Sequence, residues 1–352
     1  MSQGPHPGSI PDAARMKEAR PLLEVRNLKT HFTTRSPFFG RSRGVVRAVD
    51  GVSLEVRRGE TLGLVGESGC GKTTLARSIL RLVEPTEGEL HFDGEPILTM
   101  KGERMRRLRR KCQIIFQDPA ASLNPRMEVG AAVDEVLRVH GLGGNARGRK
   151  GRVASLLEQV GLHPEHRHRF PHELSGGQRQ RIAIARALAA EPELIVCDEP
   201  VSALDVSVQA QILNLLVRLQ EELELAYLFI AHDLRVVGHL SHRIAVMYLG
   251  RIVEEAPAEV LLQEPRHPYT QALLSAAPAL TGEEGKRRGS RIVLAGEPPS
   301  PVTPPEGCPF HPRCWHPDRD EACGRVVPGL KEDGKARRVS CIKLETTSKD
   351  SS

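Results

Sequence analysis

A glycine-rich loop carries the clearest candidate chemistry in this sequence. Its residues are Gly66, Glu67, Ser68, Gly69, Cys70, Gly71, Lys72 and Thr73, followed by Thr74. They match the phosphate-binding pattern G-x-x-x-x-G-K-[ST] at every fixed position. The glycines let backbone N–H groups surround phosphate oxygens, while Lys72 can reach the β- and γ-phosphates of a nucleotide and Thr73 can bind Mg²⁺. The alternative is a turn that binds nothing, and the apolar run before the loop and amphipathic segment after it favour the nucleotide site.

An acidic pair forms the second candidate element. Asp198 and Glu199 follow the apolar run 194–197, which is typical of a buried strand. Because α/β folds bind ligands at the carboxyl edge of the sheet, Asp198 is expected to hold Mg²⁺ and Glu199 to orient or deprotonate water. Two acids after a strand can also be solvated turn residues. Their combination with the Gly66 loop favours the catalytic interpretation.

A third element is a short Ser/Gly segment in front of a predicted helix. Residues 179–190 contain neither Gly nor Pro and predict that helix, and the five residues before it are Leu174, Ser175, Gly176, Gly177 and Gln178. A serine and two glycines at a helix start form a second anion site. Since the chain has only one nucleotide loop, this second site is expected to serve the nucleotide of a partner molecule.

The elements that must position these residues alternate between strands and helices. Strands are predicted at 62–65, 113–116, 194–197 and 228–230. Helical faces are predicted from three sets: Leu75, Ile79 and Leu82; Val153, Leu156, Leu157 and Val160, with Gly161 as a C-terminal cap; and Ile212, Leu215, Leu216 and Leu219. The alternation predicts an α/β fold with a mostly parallel sheet covered on both faces.

Length and composition narrow the class of protein. A chain of 352 residues suggests about two domains, and 39% hydrophobic with 27% charged residues is typical of a globular protein. The net charge of +6 is small for this length and does not indicate a nucleic-acid binder. The longest apolar runs, 225–231 and 244–250, are far shorter than the roughly 18 residues of a membrane span. Residues 1–20 lack the apolar core of a secretory signal, so a cytosolic chain is expected.

The three motifs, in this order and separation, resemble those of the ATP-binding cassette (ABC) ATPases over about residues 22–278. In that family two cassettes close head to tail, and each contributes its signature segment to the other's ATP. The resemblance implies that Ser175 and Gly177 grip the γ-phosphate bound by the partner. It also implies that Asp205, in Ser202-Ala203-Leu204-Asp205, lies at the dimer seam.

The resemblance also implies roles for single residues around ATP. Gln117 matches the glutamine that touches Mg²⁺ and water and senses the transport partner. His232 matches the switch histidine that contacts the γ-phosphate, and Glu199 is the expected general base. Phe32 lies at about the position of the aromatic residue that stacks on adenine, where Tyr is more usual. An ordinary core position for Phe32 stays open.

Within the family, the sequence is similar to the F-type (OppF/DppF-like) ATPase subunits of bacterial dipeptide and oligopeptide importers. The resembling stretches are 122–126, 199–207 and 266–274, and the likeness extends to about residue 342. It implies an ATP-hydrolysing subunit on the cytoplasmic face of the cell membrane, with residues 119–175 as a helical subdomain facing the membrane subunits. The alternative is a soluble non-transport ABC ATPase that acts on nucleic acid or ribosomes.

The same likeness implies the partners. They are two membrane permease subunits, a second ATP-binding subunit that is a D-type paralogue forming a heterodimer, and an extracytoplasmic substrate-binding protein reached through the permease. No nucleic-acid partner is expected. The basic run 104–111 alternates with apolar residues and is interpreted as a solvated helix face.

Four late cysteines mark a separate C-terminal region. They are Cys308, Cys314, Cys323 and Cys341. A cytosolic chain should not depend on disulfides, so a metal site is favoured, although the spacing does not choose the metal. The family resemblance points to a [4Fe–4S] cluster, with Zn²⁺ and four free thiols as alternatives. The expected organisation is a tail at 1–20, a nucleotide-binding domain at 21–278, the C-terminal region at 279–345 and a tail at 346–352.

Overall fold

A computed structural model describes residues 20–35, 42–276 and 291–344. The tail predicted at 1–20 lies outside these ranges except for Arg20, and so do the tail at 346–352 and the boundary near residue 278. The domain boundaries therefore stay predictions. Within the described ranges, no helix combines the length and apolar character that crossing a membrane requires.

The strands of the described ranges form two sheets. They are β1 (Leu23–Arg35), β2 (Ser42–Val56), β3 (Thr61–Val65), β4 (Glu87–Phe92), β5 (Glu95–Pro96), β6 (Cys112–Ile115), β7 (Leu194–Asp198), β8 (Ala226–Ala231), β9 (Arg243–Tyr248), β10 (Arg251–Pro257), β11 (Lys331–Glu332) and β12 (Arg338–Val339). The larger sheet has the order β11-β12-β10-β9-β3-β8-β7-β6, and its central neighbours β9, β3, β8, β7 and β6 are parallel. The smaller sheet, β2-β1-β4-β5, is antiparallel and was not predicted from the sequence.

The helices follow most of the predicted apolar spacing. They are α1 (Lys72–Ile79), α2 (Gly102–Lys111), α3 (Pro119–Ser122), α4 (Val129–Val139), α5 (Ala146–Gln159), α6 (Gly176–Leu188), α7 (Val206–Leu223), α8 (Leu234–Leu240), α9 (Ala258–Gln263), α10 (Pro268–Ala276) and α11 (Glu321–Arg325). The predicted faces of α5 and α7 are buried, and Gly161 has the positive φ of 75° expected beyond the end of α5. The prediction for Leu82 is wrong. Arg81 adopts a φ of 49° that ends the α1 helical path, and Leu82 is 51% exposed.

The central strands bury both of their faces. In β7, Ile195 and Cys197 belong to one apolar cluster, together with buried residues of α4 to α8. Leu194 and Val196 belong to a second cluster, together with residues of α1 and the smaller sheet. Because successive side chains of a strand point to opposite faces, a strand covered on both sides forms a continuous apolar run. This confirms the predicted sheet covered on both faces.

The C-terminal region packs against the rest of the chain. Strand β12 pairs with β10, with Val339 opposite Glu254. Phe310 is 1% exposed, and its ring lies 5.2 Å from that of Tyr248 and 5.4 Å from that of Tyr269. Aromatic rings at such separations stabilise one another beyond the area they bury. The cysteine-containing segment is therefore built onto the same core as the glycine-rich loop.

The basic run 104–111 forms most of α2, as predicted, and much of its charge is paired. Arg104 contacts Glu95 at 2.5 Å, and Arg110 contacts Glu191 at 2.8 Å. Lys111 contacts Glu193 at 2.7 Å. Pairing with carboxylates reduces the positive field that this helix face presents to an anionic polymer.

Candidate nucleotide-binding site

The glycine-rich loop joins β3 to α1 and is shaped by two close backbone approaches. A Cβ on Gly66 would lie 2.2 Å from the carbonyl oxygen of Met247. Gly71 has a φ of 109°, and a Cβ there would lie 2.0 Å from the carbonyl oxygen of Ala48. Only glycine fits at either position without displacing backbone. The backbone of strands β2 and β9 therefore packs directly against the loop and restricts its conformation.

Lys72 points back into this loop. Its ammonium group is almost fully buried and donates hydrogen bonds to the carbonyl oxygens of Gly66 at 2.7 Å and Glu67 at 3.0 Å. The same nitrogen lies 3.9 Å from a carboxylate oxygen of Glu199. A cation held at the centre of the loop, at the N-terminal end of α1, gives the cavity the field that binds phosphate.

Thr73 and Asp198 bring two oxygen ligands together. The Thr73 hydroxyl donates to the Asp198 carboxylate at 3.0 Å, although the two residues come from α1 and the end of β7. Asp198 is 3% exposed, and this burial raises its pKa, while the hydrogen bond from Thr73 acts in the opposite direction. A hydroxyl and a carboxylate in contact at the edge of a phosphate cavity have the oxygen chemistry that Mg²⁺ prefers.

Glu199 is the meeting point of the predicted catalytic residues. Gln117 Nε2 lies 3.3 Å and His232 Nδ1 3.5 Å from the same carboxylate oxygen of Glu199. The Glu199 backbone adopts a φ of 49°, and its N–H donates to the carbonyl oxygen of Ile230 at 3.0 Å. A left-handed conformation is unfavourable for a glutamate, so the fold holds this carboxylate at a local cost.

These residues line one open cavity of about 270 Å³. Its lining includes, from the predicted set, Ser68, Gly69, Cys70, Gly71, Lys72, Thr73, Thr74, Gln117, Glu199 and His232. Gly66 and Glu67 do not line it, although both accept hydrogen bonds from Lys72 through their carbonyl oxygens. Sequence reasoning missed six further lining residues, namely Val46, Arg47, Ala48, Leu249, Gly250 and Pro301. They come from three distant segments, so no spacing in the sequence could have connected them.

Phe32 lies beside this cavity and does not line it. It is 41% exposed and is paired in register with Val46 across β1 and β2, and Val46 is a lining residue. Paired residues of antiparallel strands present their side chains to the same face. Contact between Phe32 and adenine stays a prediction.

The Ser/Gly segment forms a well-capped helix start away from the cavity. The Ser175 hydroxyl accepts from the Gln178 N–H at 3.2 Å, and the Gln178 side chain accepts from the Ser175 N–H at 3.0 Å. This reciprocal pair is a capping box at the start of α6. Residues 174–178 are all described, and none of them lines the cavity. That they serve the nucleotide of a partner molecule stays a prediction.

Asp205 lies next to that segment, at the N-cap of α7. A Cβ on Gly177 would lie 2.6 Å from the Val208 side chain, so the start of α6 packs closely on α7. Val206, directly after Asp205, is 82% exposed. The two predicted dimer elements therefore share one surface.

The late cysteines line one small cavity of about 20 Å³. Burial, together with the neighbouring thiols Cys341 and Cys314, raises the pKa of Cys308 to about 11. Across the described ranges, however, no group of three or more His, Cys, Asp or Glu side chains is arranged to hold a metal ion. The structure thus gives no support to the predicted [4Fe–4S] cluster or to Zn²⁺. The remaining cysteines, Cys70, Cys112 and Cys197, are buried in the apolar clusters.

The fold and this site together define an ABC ATPase. Among solved structures, the chain is similar to the dimeric ATP-binding cassette MJ0796 in a post-hydrolysis state bound to ADP and Pi. The TM-score is 0.60 at 28% identity, over 67% of this chain and 98% of that one. CbiO1 from Clostridium perfringens, part of an ABC transporter complex, gives 0.58 at 27% identity, over 69% and 91%. The family model for ABC transporters matches residues 49–202.

Sequence comparison places the chain more narrowly. A second family model, for the C-terminal region of oligopeptide/dipeptide transporters, matches residues 253–323. The oligopeptide transport ATP-binding protein AppF of Bacillus subtilis is 51% identical over 321 residues, 91% of this chain and 96% of that protein. The dipeptide transport ATP-binding protein DppF of Haemophilus influenzae is 47% identical, over 94% and 99%. The chain belongs to this family of transport ATP-binding proteins, which confirms the predicted fold class and family.

Proposed function

We propose that this chain is the ATP-hydrolysing subunit that energises import of dipeptides or oligopeptides through a separate membrane permease. The observation that carries the proposal is the convergence of Lys72, Gln117 and His232 on the Glu199 carboxylate beside a phosphate-binding loop. The names of the similar transport proteins support peptides as cargo. No observation favours a nucleic-acid or ribosome-associated ATPase.

In the proposed reaction the chain mainly positions ATP and water. Lys72 and the loop N–H groups hold the β- and γ-phosphates of the substrate, and His232 contacts the γ-phosphate. Glu199 accepts a proton from the attacking water, which Gln117 helps to orient. When bound, Mg²⁺ neutralises charge on the transferring phosphoryl group, and Thr73, Asp198 and Gln117 are the residues proposed to hold it.

Hydrolysis in this proposal requires a second cassette. Ser175 caps the N-terminal end of α6, Gly177 lies in its first turn, and neither residue lines the chain's own cavity. That end can meet the γ-phosphate held by a partner cassette, with Asp205 at the seam. We propose a D-type paralogue as the partner, so that each chain completes the other's site.

The transport partners are two permease subunits, with a substrate-binding protein outside the membrane. A cavity of about 410 Å³ lies on the helical subdomain proposed at 119–175, lined in part by Met127, Glu135 and Val136 of that segment. Such a surface can take up a permease element, so that cassette closure is transmitted to the pore. The chain would then lie peripherally on the cytoplasmic face of the cell membrane.

Reconstitution tests this proposal directly. The full chain is co-expressed with the permease and second ATPase subunits, and the complex is placed in proteoliposomes with the binding protein outside. ATP-dependent peptide uptake is expected, with ATPase activity stimulated several-fold by the peptide-loaded binding protein. A complex that assembles and hydrolyses ATP but accumulates none of a broad peptide mixture would contradict peptide import.

We propose separately that the four late cysteines bind a metal centre when the chain is made in the cell. The proposal rests on side-chain chemistry alone: thiolates are the ligands of Fe–S clusters and structural zinc, and the four cysteines line the same cavity without forming a metal-holding group there. Anaerobic purification is expected to give iron and sulfide with visible absorption, and Cys323→Ser should remove both. Cys112→Ser, which changes a buried cysteine elsewhere, is the control. Zinc alone would identify the alternative ion, and a metal-free chain would overturn the proposal.

A further inference from the structure

An ion pair joins the C-terminal region to the phosphate-binding loop. The two terminal nitrogens of Arg313 donate to the two carboxylate oxygens of Glu67, at 2.7 and 3.2 Å. Arg313 comes directly before Cys314, and Glu67 is the second residue of the loop. The Arg313 side chain is 7% exposed and that of Glu67 is 29% exposed. A two-pronged contact shielded from water to this degree is much stronger than a surface ion pair.

A second contact holds the backbone of the same loop residue. The Glu67 N–H donates to the hydroxyl of Tyr269 at 2.9 Å. Tyr269 is fully buried, and its ring lies 4.7 Å from that of Tyr248. The loop backbone therefore stays anchored at Glu67 even when its side chain is changed.

The ion pair also offsets the negative charge that Glu67 brings close to the phosphate site. Glu67 adds a negative charge next to Ser68, which lines a cavity built for phosphate anions. Unpaired, that carboxylate would oppose nucleotide binding. Burial lowers the pKa of Arg313, but the hydrogen bonds and charge of Glu67, together with Tyr248, outweigh it and hold the pKa above its usual value, so Arg313 stays a cation. The pair places one compensating positive charge beside the loop.

We propose that Arg313 is a positioning residue for ATP, which acts through Glu67 by neutralising its charge at the phosphate-binding loop. Nucleotide affinity then depends on the C-terminal region, although that region does not supply a loop residue. The inference rests on the proposed ATP site but not on peptide transport. Nucleotide binding by the full chain alone tests it, so its failure and a failure of peptide import are distinguishable.

Three variants test whether Arg313 neutralises the charge of Glu67 or only holds the loop in place, which we call a structural tie. The affinity for Mg²⁺-ATP is measured by titration calorimetry. Arg313→Gln leaves Glu67 uncompensated, and we expect the Kd to rise about tenfold. Glu67→Gln removes the negative charge and leaves Arg313 as a cation, so the Kd should fall, and an unchanged or higher Kd contradicts charge neutralisation. Combining both changes restores neutrality, and the double variant should bind within about threefold of the unmodified chain.

The two explanations predict different affinities for these variants. A structural tie predicts that Glu67→Gln weakens binding and that the double variant is no better than Arg313→Gln. Either result overturns the proposal, as does an Arg313→Gln variant with unchanged affinity. Glu67→Gln leaves the C-terminal region intact, so it decides the question even where Arg313→Gln does not fold. Arg325→Gln is the matched control, because Arg325 pairs with Glu321 on the exposed surface of the same region and should leave the Kd unchanged.

Discussion

Replacing Glu199 with Gln is expected to slow ATP hydrolysis by about 10²–10⁴-fold while leaving ATP binding in place. The amide has nearly the size of the carboxylate but cannot accept a proton from water. Lys72, Gln117 and His232 stay around the side chain, so the phosphate cavity keeps its shape. Because binding persists and hydrolysis does not, the variant should accumulate a closed dimer with its partner cassette.

Three measurements check this result. Single-turnover phosphate release gives the rate of hydrolysis, equilibrium titration gives ATP binding, and gel filtration with the second ATPase subunit detects the closed dimer. Glu191→Gln is the matched control. Glu191 also has a positive φ, of 55°, but it precedes β7, whereas Glu199 follows it. Near-normal turnover by the Glu199 variant would remove this residue from the role of general base.

The second large effect is expected at Lys72, where Lys72→Ala should abolish both ATP binding and hydrolysis. Its ammonium group is almost fully buried and within reach of two loop carbonyl oxygens. Hydrogen bonds to charged groups contribute about 1.5–3 kcal/mol each. Losing two such bonds to the phosphates should therefore lower the affinity for ATP by roughly 10²-fold or more. The carbonyl oxygens of Gly66 and Glu67 also lose their donor, which loosens the empty loop.

Calorimetric titration with ATP and with ADP measures this loss, and circular dichroism checks that the chain still folds. Lys101→Ala, at an exposed lysine before α2, should bind nucleotide normally. An ATP Kd within threefold of the unmodified value for Lys72→Ala would contradict the assignment. The contrast with Glu199→Gln is informative, since only one of the two variants separates binding from hydrolysis.

The amino-acid sequence by itself determined the elements whose signal is local. The phosphate loop needs fixed residue types at fixed spacing because backbone N–H groups, Lys72 and Thr73 must all reach one phosphate chain. Buried central strands and the faces of α5 and α7 are equally local, since a continuous apolar run indicates a strand covered on both faces and a period of 3.6 shows the covered side of a helix. Leu82 shows the limit of this reasoning. A single left-handed residue, Arg81, ended the helix while the apolar spacing continued.

Only the tertiary structure decided which distant segments meet at the site. Pro301 belongs to the proline-rich stretch 298–305 of the C-terminal region, yet it lines the nucleotide cavity and accepts a hydrogen bond from the Arg47 N–H at 3.0 Å. Arg313 and Glu67 are 246 residues apart. Such contacts depend on how sheets and loops pack in three dimensions, and packing between remote segments leaves no period or spacing in the chain. The sequence thus specified the chemistry of the loop, whereas the fold joined the C-terminal region to it.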